Sequence, residues 1–307
     1  MLEKNKILAI IVTYNGMKWA DRCFSSLEAS TSRPDVFVID NGSTDGTQEY
    51  VKTHFPFVTF VENHSNLGFG QANNIGLQFA LDNDYDYVYL MNQDAWVMPD
   101  TLSSLAGLMD NHPDYGILSP MQLEYNGKNL DNNFASLTLG RLQYSPKIIN
   151  DLYFERVEDI YEVSFVMASH WMISASCLRK TGGFSPTFYH YGEDNNYIQR
   201  VQIHEFKAGI APGVHAIHDR EYRQKTKEDI VFFNFYNVWA VNLSTPSRLS
   251  VTILFMLFLD IFSKAIEYKS FQPFKEAWRL LCHAKSISRN RRISMQENCA
   301  FLKCRQS

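Results

Sequence analysis

Four times in the first 110 residues, a short apolar run gives way to a polar cluster and then to apolar side chains at helical spacing. Residues 7–13 are a continuous apolar run, as expected of a strand buried on both faces of a parallel sheet. Trp19, Cys23, Phe24 and Leu27 then mark a helix over 19–29. Residues 36–39 read as a second strand, stopped by Asp40-Asn41-Gly42-Ser43, and 44–52 as a helix capped by Ser43 or Thr44. A third strand at 58–61, a loop at 66–70 and a helix at 71–81 repeat the unit. A fourth strand, 87–91, ends abruptly in Asn92-Gln93-Asp94 before a helix from about 99 to 109. This alternation predicts an α/β fold around a parallel sheet.

Beyond a further apolar stretch at 116–122 the pattern loses its period. Residues 126–159 are rich in Asn, Ser, Gly and Tyr and read as strands and loops of low regularity. β-like sequence returns at 161–166 and 170–174. Gly182-Gly183-Phe184 reads as a turn, 193–202 as a helix, and 206–210 as a short strand ended by Pro212-Gly213. A helix over 225–243 carries Phe232, Phe235, Tyr236 and Trp239 at helical spacing, a stripe expected to pack as core. Residues 249–262 form the most apolar window. They are too short to span a bilayer and contain Asp260, so two readings stand: a helix lying at a membrane surface, or one buried in the core or against a second subunit.

Composition adds three constraints. The 307 residues, 45% hydrophobic, can bury one large core. A net charge of −4 gives no sign of nucleic-acid binding. That charge is unevenly spread. Residues 264–307 hold ten Lys/Arg against three Asp/Glu, so +7, and the remainder carries −11. The basic tail hints at an anionic partner. Five cysteines, an odd number with no C-x-x-C pair, suit reduced thiols in a cytoplasmic protein. The first apolar run is too short for a secretory signal.

Polar residues gather where the proposed strands end: Thr13-Tyr14-Asn15, Asp40-Asn41-Gly42-Ser43, Asn66-Leu67-Gly68 and Asn92-Gln93-Asp94. Each alone would serve a turn or helix cap. Together they line the carboxyl edge of one sheet, where nucleotides lie in α/β folds. Asp40 could hydrogen-bond a base or ribose, and Asp94 could hold Mg²⁺ or Mn²⁺ against a diphosphate.

These segments closely resemble the family-2 glycosyltransferases, in the same order: Ile-Ile-Val-Thr-Tyr-Asn (10–15), Val-Ile-Asp-Asn-Gly-Ser-Thr-Asp-Gly-Thr (38–47), Asn-Leu-Gly-Phe-Gly-Gln-Ala-Asn-Asn-Ile-Gly (66–76), Leu-Met-Asn-Gln-Asp-Ala (90–95), Gly-Gly-Phe (182–184) and Gly-Glu-Asp-Asn-Asn-Tyr (192–197). The resemblance spans roughly residues 7–219, and the third and last motifs resemble the rhamnosyltransferase-like branch of bacterial polysaccharide enzymes. It implies a glycosyltransferase A-type fold, a Rossmann-like, mostly parallel sheet flanked by helices, over 1–245, with a helical extension over 246–307. It implies an inverting transfer from a UDP- or dTDP-linked sugar, rhamnose among the candidates, to a hydroxyl of a glycan or lipid-linked acceptor. Thr13, Tyr14, Asn15, Asp40, Asn41, Ser43, Asn66, Gly68, Asn73, Asn92 and Gln93 would line the nucleotide site. Asp94 matches the last residue of the Asp-x-Asp metal motif, whose first position here is Asn92. Asp194, beside Glu193, matches the general base. His218 or its rival His215 would complete a Mn²⁺ or Mg²⁺ site. A peripheral place at the inner face of the plasma membrane and a homodimer are further expectations.

Two other functions share parts of this pattern. Gly68-Phe-Gly70-Gln-Ala-Asn73 has the G-x-G-x-x-N spacing of a dinucleotide motif, but it lacks the third Gly and follows the third strand instead of the first. A non-catalytic sugar- or nucleotide-binding protein on the same fold is the remaining alternative, kept open by Asn92.

Overall fold

A computed structural model describes residues 5–139, 147–220, 227–245, 251–296 and 298–304. Among these, nine strands form one sheet in the order β3-β2-β1-β4-β8-β6-β9-β5, with β7 paired to β9. The strands are β1 (Ile7–Thr13), β2 (Asp35–Asp40), β3 (Val58–Glu62), β4 (Tyr87–Asn92), β5 (Ala95–Val97), β6 (Tyr115–Leu123), β7 (Tyr161–Glu162), β8 (His170–Ser174) and β9 (Lys207–His218). The first half is parallel as expected, with Ile10 of β1 facing Phe37 of β2 and Leu90 of β4.

Strand periodicity divides the core. Leu8 and Ile10 of β1 face α3 (Gly68–Asp82), α7 (Ala175–Thr181) and α8 (Glu193–Ile203). Ile7, Ala9 and Ile11 face α1 (Met17–Glu28), α2 (Thr47–His54) and α4 (Thr101–Asn111). Burial on both faces explains why β1 is apolar at nearly every position.

The sequence-based reading needs five corrections. The sheet is mixed: β8 runs antiparallel to both β4 and β6, and β5, which the pattern did not reveal, runs antiparallel to β9. Helix α2 begins at Thr47 after Gly46, not at Ser43 or Thr44. The Ser43 hydroxyl is engaged instead by Asp40. The region 126–159 forms no strand among the described residues. It folds into α5 (Asn132–Phe134), one π-helical turn at Ala135–Leu139 and α6 (Lys147–Tyr153), with 140–146 outside the described residues. The β-like stretch at 161–166 is strand over Tyr161–Glu162 alone, with one further bond from the Val163 N–H to the Ala208 carbonyl. Finally, β9 does not stop before Pro212-Gly213. Pro120 pairs with Ala211 and Met121 with His215, so a bulge absorbs Pro212, Gly213 and Val214 and the strand continues to His218.

At the carboxyl-terminal end, α9 (Lys227–Ser244), α10 (Val251–Glu267) and α11 (Gln272–Ser294) build a smaller apolar cluster. Phe235 and Trp239 are buried in it with Leu280 and Ile287, as expected of the aromatic stripe, and Tyr236 is partly buried against it. The side chain of Phe232, and residues 225–226 and 249–250 of the expected helices, lie outside the described residues. Helix α10 is fastened to α9 by the Trp239 indole N–H, which donates to Asp260 at 2.8 Å. The last segment returns to the main body: the Gly183 N–H donates to the Ala300 carbonyl at 2.8 Å. No helix among the described residues is long and apolar enough to cross a membrane.

The Gly-Gly-Phe turn is fixed by two buried side chains. The Asn74 amide accepts from the Phe184 N–H at 2.7 Å and donates to its carbonyl at 2.9 Å. Arg200, fully buried, donates to the carbonyls of Gly183 and Thr181. Asn74→Leu leaves the buried Phe184 N–H without an acceptor, and with about 1–3 kcal/mol for each such group we expect urea denaturation to show a loss of about 2 kcal/mol. A loss within error of zero would mean that the turn is held elsewhere.

Candidate active site

The strand ends of β1, β2 and β4 lie side by side, because Thr13 is in register with Asp40 and Val12 with Asn92. Asp40 is fully buried, which by itself favours its neutral form. Burial is outweighed by hydrogen bonds from the Ser43 hydroxyl, the Thr13 hydroxyl, the Ser43 N–H and the Gln48 amide, so the carboxyl stays below its ordinary range. Asn15 adopts a left-handed conformation at φ 51° and accepts from the Thr44 N–H, while its own N–H donates to Ser43. The Asn41 amide reaches across to the third loop, accepting from the Leu67 N–H and donating to the Gly68 carbonyl.

Several expected nucleotide-site residues therefore shape the crevice through contacts with one another. The Gln93 amide is clamped to both backbone groups of Tyr14, whose ring is half exposed. Asn66 accepts from the Gly68 N–H. Gly68 sits at φ 75°, and an added Cβ would lie 2.1 Å from the Tyr189 carbonyl oxygen, so only glycine fits. Asn73 is buried within α3, its amide on the Phe69 carbonyl, away from the polar contacts of the other loops.

Strand β9 brings in the partner of Asp94. Ala95 pairs with His218, and the Asp219 N–H donates to the Asp94 carbonyl at 2.8 Å. The His218 Nε2 then lies 3.4 Å from Asp94 Oδ1, and the Asn92 amide lies 3.5 Å from the same nitrogen. His215 is exposed on the same strand and takes no part. Burial raises the Asp94 carboxyl, but the hydrogen bond and charge of His218 and the charge of Arg220 outweigh it, leaving the group lowered and anionic.

The Asp94 carboxylate is a ligand of the type that Mn²⁺ and Mg²⁺ favour, and a neutral imidazole beside it adds a nitrogen donor. Among the described residues no group of three His, Cys, Asp or Glu side chains converges on one point. An ion held by Asp94 and His218 would thus complete its shell from water and substrate oxygens, the usual habit of Mg²⁺ at phosphates. The residues fit such an ion.

Three neighbours of this pair escaped the sequence reading. Asp131, fully buried, caps α5 through the Phe134 N–H and receives Arg220 Nε at 3.2 Å. Arg220 in turn lies 3.1 Å from His218 Nδ1. Asp is a favoured N-cap residue, but this one lay in a stretch whose overall pattern was irregular. His170 is buried between the Tyr89 hydroxyl and the Ile217 carbonyl, and burial pushes its pKa down to about 3, so it is neutral.

The acidic pair opens α8 after Gly192, which at φ 96° turns the chain into the helix. Glu193 is buried, and Asp194 is partly exposed. Burial, and then the charge of Asp194, push Glu193 up to about 8, so it holds its proton at neutral pH. Gly70 binds this helix start to the nucleotide side: a Cβ there would meet Phe184 at 2.9 Å and Glu193 at 3.7 Å. The preceding segment, 186–190, also forms one wall of a cleft of about 910 Å³, whose other walls include Tyr236, Arg279, His283 and Asn290.

Residues 8–182 match the family described as glycosyl transferase family 2. Over 232 residues the chain is 25% identical to an N-acetylglucosaminyl-diphospho-decaprenol L-rhamnosyltransferase of Mycobacterium tuberculosis, covering 69% of this chain and 76% of that one. A low-salt glycan biosynthesis hexosyltransferase of Haloferax volcanii is 23% identical over 272 residues, 84% of this chain and 86% of that one. Among solved structures, a mannosyltransferase from Pyrobaculum calidifontis in complex with GDP-Man and Mn²⁺ shares the fold, at TM-score 0.54 and 16% identity, over 91% of this chain and 88% of that one. S. aureus TarS also shares it, at TM-score 0.54 and 17% identity over 78% of this chain, which spans 39% of that longer one. The sheet with its flanking helices is the glycosyltransferase A-type fold, and the chain belongs to the family-2 glycosyltransferases.

Proposed function

We propose that this protein is an inverting enzyme moving a sugar from a UDP- or dTDP-linked donor, rhamnose among the candidate sugars, to a hydroxyl of a growing glycan or lipid-linked saccharide. The observation that carries the reading is the Asp94–His218 pair at the strand-end edge, with a second acidic pair opening α8 beside the Gly68–Gly70 turn. The relatives support it: one is named for a decaprenol-linked acceptor, and solved structures of the fold were determined with UDP-GlcNAc or with GDP-Man and Mn²⁺. A lipid-linked acceptor would make this a peripheral protein at the cytoplasmic face of a membrane.

Mn²⁺ or Mg²⁺ held by Asp94 and His218 would neutralise the departing nucleoside diphosphate. A ligating His218 donates its other ring N–H, and the acceptor on that side is the Asp131 carboxylate, 3.8 Å from Nδ1, which Arg220 Nε also meets at 3.2 Å. Asp194 takes the proton of the acceptor hydroxyl as its oxygen bonds to the anomeric carbon and the bond to the diphosphate oxygen breaks. A single displacement inverts that carbon and needs one base, unlike the carboxylate pair that glycoside hydrolases place about the scissile bond. Glu193, protonated and buried, does not compete with Asp194 for the role. The cleft beside 186–190 has a volume suited to a small ligand and a lining of hydroxyl, imidazole and guanidinium groups suited to a saccharide or its phosphate, so we assign it to the acceptor.

Asp94→Ala and His218→Ala are expected to lose Mn²⁺ binding in the presence of UDP, followed by titration calorimetry, together with sugar transfer. Unchanged Mn²⁺ affinity in both would remove the metal assignment. Asp194→Asn keeps the size and loses the basicity, so turnover should drop by roughly 10²-fold or more with donor affinity near normal. Normal turnover at saturation would overturn the base. Glu193 gives a pH test. Between its ordinary range near 4.5 and its folded value of about 8, the folded chain holds a proton that the unfolded chain has lost. Stability must then fall as pH rises through that window. Glu193→Gln should therefore gain on the wild type steadily from pH 5 to pH 8 in denaturation midpoints, and a difference that stays flat would contradict the buried, protonated state.

A further inference from the structure

We propose that the outer face of α10 and α11 is a docking surface for an anionic lipid bilayer. No described side chain of α10 is buried. Its inner side, Ile253, Leu257 and Ile261, rests on the α9–α11 cluster. Its outer side presents Leu254, Phe255, Phe258, Leu259, Phe262 and Ile266, each at least 43% exposed. The apolar surface continues onto α11. The Phe258 and Phe262 rings are 4.7 Å apart, Phe262 meets Phe274 at 5.4 Å, and Phe274 meets Phe271 at 6.2 Å, so one aromatic path joins the two helices. Trp278 and Leu281, both 67% exposed, extend it. A patch of this kind on a chain with no membrane-crossing helix among its described residues marks a contact surface.

Charge chooses the occupant. Phe274, Trp278, Leu281, Lys285 and Arg292 follow one another at helical spacing, so a single stripe of α11 is apolar in its first half and basic in its second. Residues 251–294 hold eight Lys/Arg against three acids. Lys269, Lys275, Lys285, Arg289 and Arg292 are all exposed and have no ion pair among the described residues. In a two-fold dimer through this face the patch meets the same patch on its copy, where basic residues outnumber acids eight to three, so few acidic partners face the basic stripe. Anionic headgroups neutralise the same residues, while the apolar half enters the boundary between headgroups and acyl chains. Helix α10, 17 residues long, spans about 25 Å at 1.5 Å per residue. It carries Asp260 and Lys264 on its less exposed side, and so lies along such a surface instead of crossing it.

The surface deepens the reading of a lipid-linked acceptor, and its purpose rests on that reading, although docking can be measured without any transfer. The full chain is mixed with vesicles of phosphatidylcholine alone, or of phosphatidylcholine with phosphatidylglycerol, and sedimented. Wild type should pellet with the anionic vesicles at low salt and leave them as salt screens the charges. Lys285→Glu/Arg292→Glu should bind those vesicles at least roughly five-fold more weakly per residue changed, and Trp278→Ser/Leu281→Gln should stay in the supernatant. These positions are exposed and outside the proposed site, so a wild-type circular dichroism spectrum and melting midpoint serve as the check that each variant is folded, with Mn²⁺–UDP binding measured alongside. Wild type that ignores anionic vesicles, or variants that pellet as it does, would overturn the proposal. A concentration-dependent dimer that Trp278→Ser/Leu281→Gln dissolves, with no vesicle binding, would assign the face to a second copy. Loss of vesicle binding alone leaves the transferase reading intact, and vesicle binding without Mn²⁺–UDP binding fails that reading alone.

Discussion

A buried carboxylate has to be answered by donors, and Asp40 is the place where this requirement organises the molecule. Its two oxygens receive the Thr13 hydroxyl from the end of β1, the Ser43 hydroxyl, the N–H groups of Gly42 and Ser43, and the Gln48 amide from α2. These bonds fix the loop after β2 against the end of β1. Asn41, the next residue, ties the same loop to the start of α3. Three strand-to-helix connections thereby become one rigid edge. Leaving that charge buried without these partners would be costly, so the crevice is shaped before any ligand arrives.

A second carboxylate, Asp94, is answered from much farther along the chain. His218 reaches it because β9 pairs with the short β5, and β5 begins one residue after Asp94. The strand extends far enough only because the bulge around Pro212 and Gly213 lets pairing resume at His215. Behind His218 stand Arg220 and Asp131, and Asp131 is held by the start of α5. A region without regular period thus supplies the support that orients the candidate metal ligand. Support of this kind governs how firmly a ligand is aimed.

The two ends of the reaction are linked by close backbone approach. Gly68 lies under the Tyr189 carbonyl, and Gly70 lies against Phe184 and Glu193. Larger residues at either position would separate the nucleotide loop from α8. The returning segment at 298–304 presses on the same Gly-Gly-Phe turn from outside, through the Gly183 N–H and Ala300 carbonyl. The carboxyl-terminal helices are therefore joined at several points to the body that carries the site, through Phe188 on α9 and α11 and through this returning segment.

The sequence alone determined the units that depend on local pattern. Apolar runs and helical spacing marked β1 through β4 and the helices between them, because burial on both faces leaves a continuous apolar signature. The motifs at the strand ends with Asp40 and Asp94, and then the acidic pair with Asp194 that opens α8, pointed to the family. Tertiary structure decided what depends on pairing between distant segments. Nothing local in residues 170–174 says that the strand inserts antiparallel between β4 and β6. His215 and His218 are three apart, so an extended strand sends them to opposite faces. Only the pairing of β9 with β5 shows which face holds Asp94. An apolar helix reads the same whether it lies in a core or on a surface, and the outer face of α10 was settled by what α9 and α11 leave uncovered. Periodicity reports that a side chain must leave water, and packing alone reports what it meets.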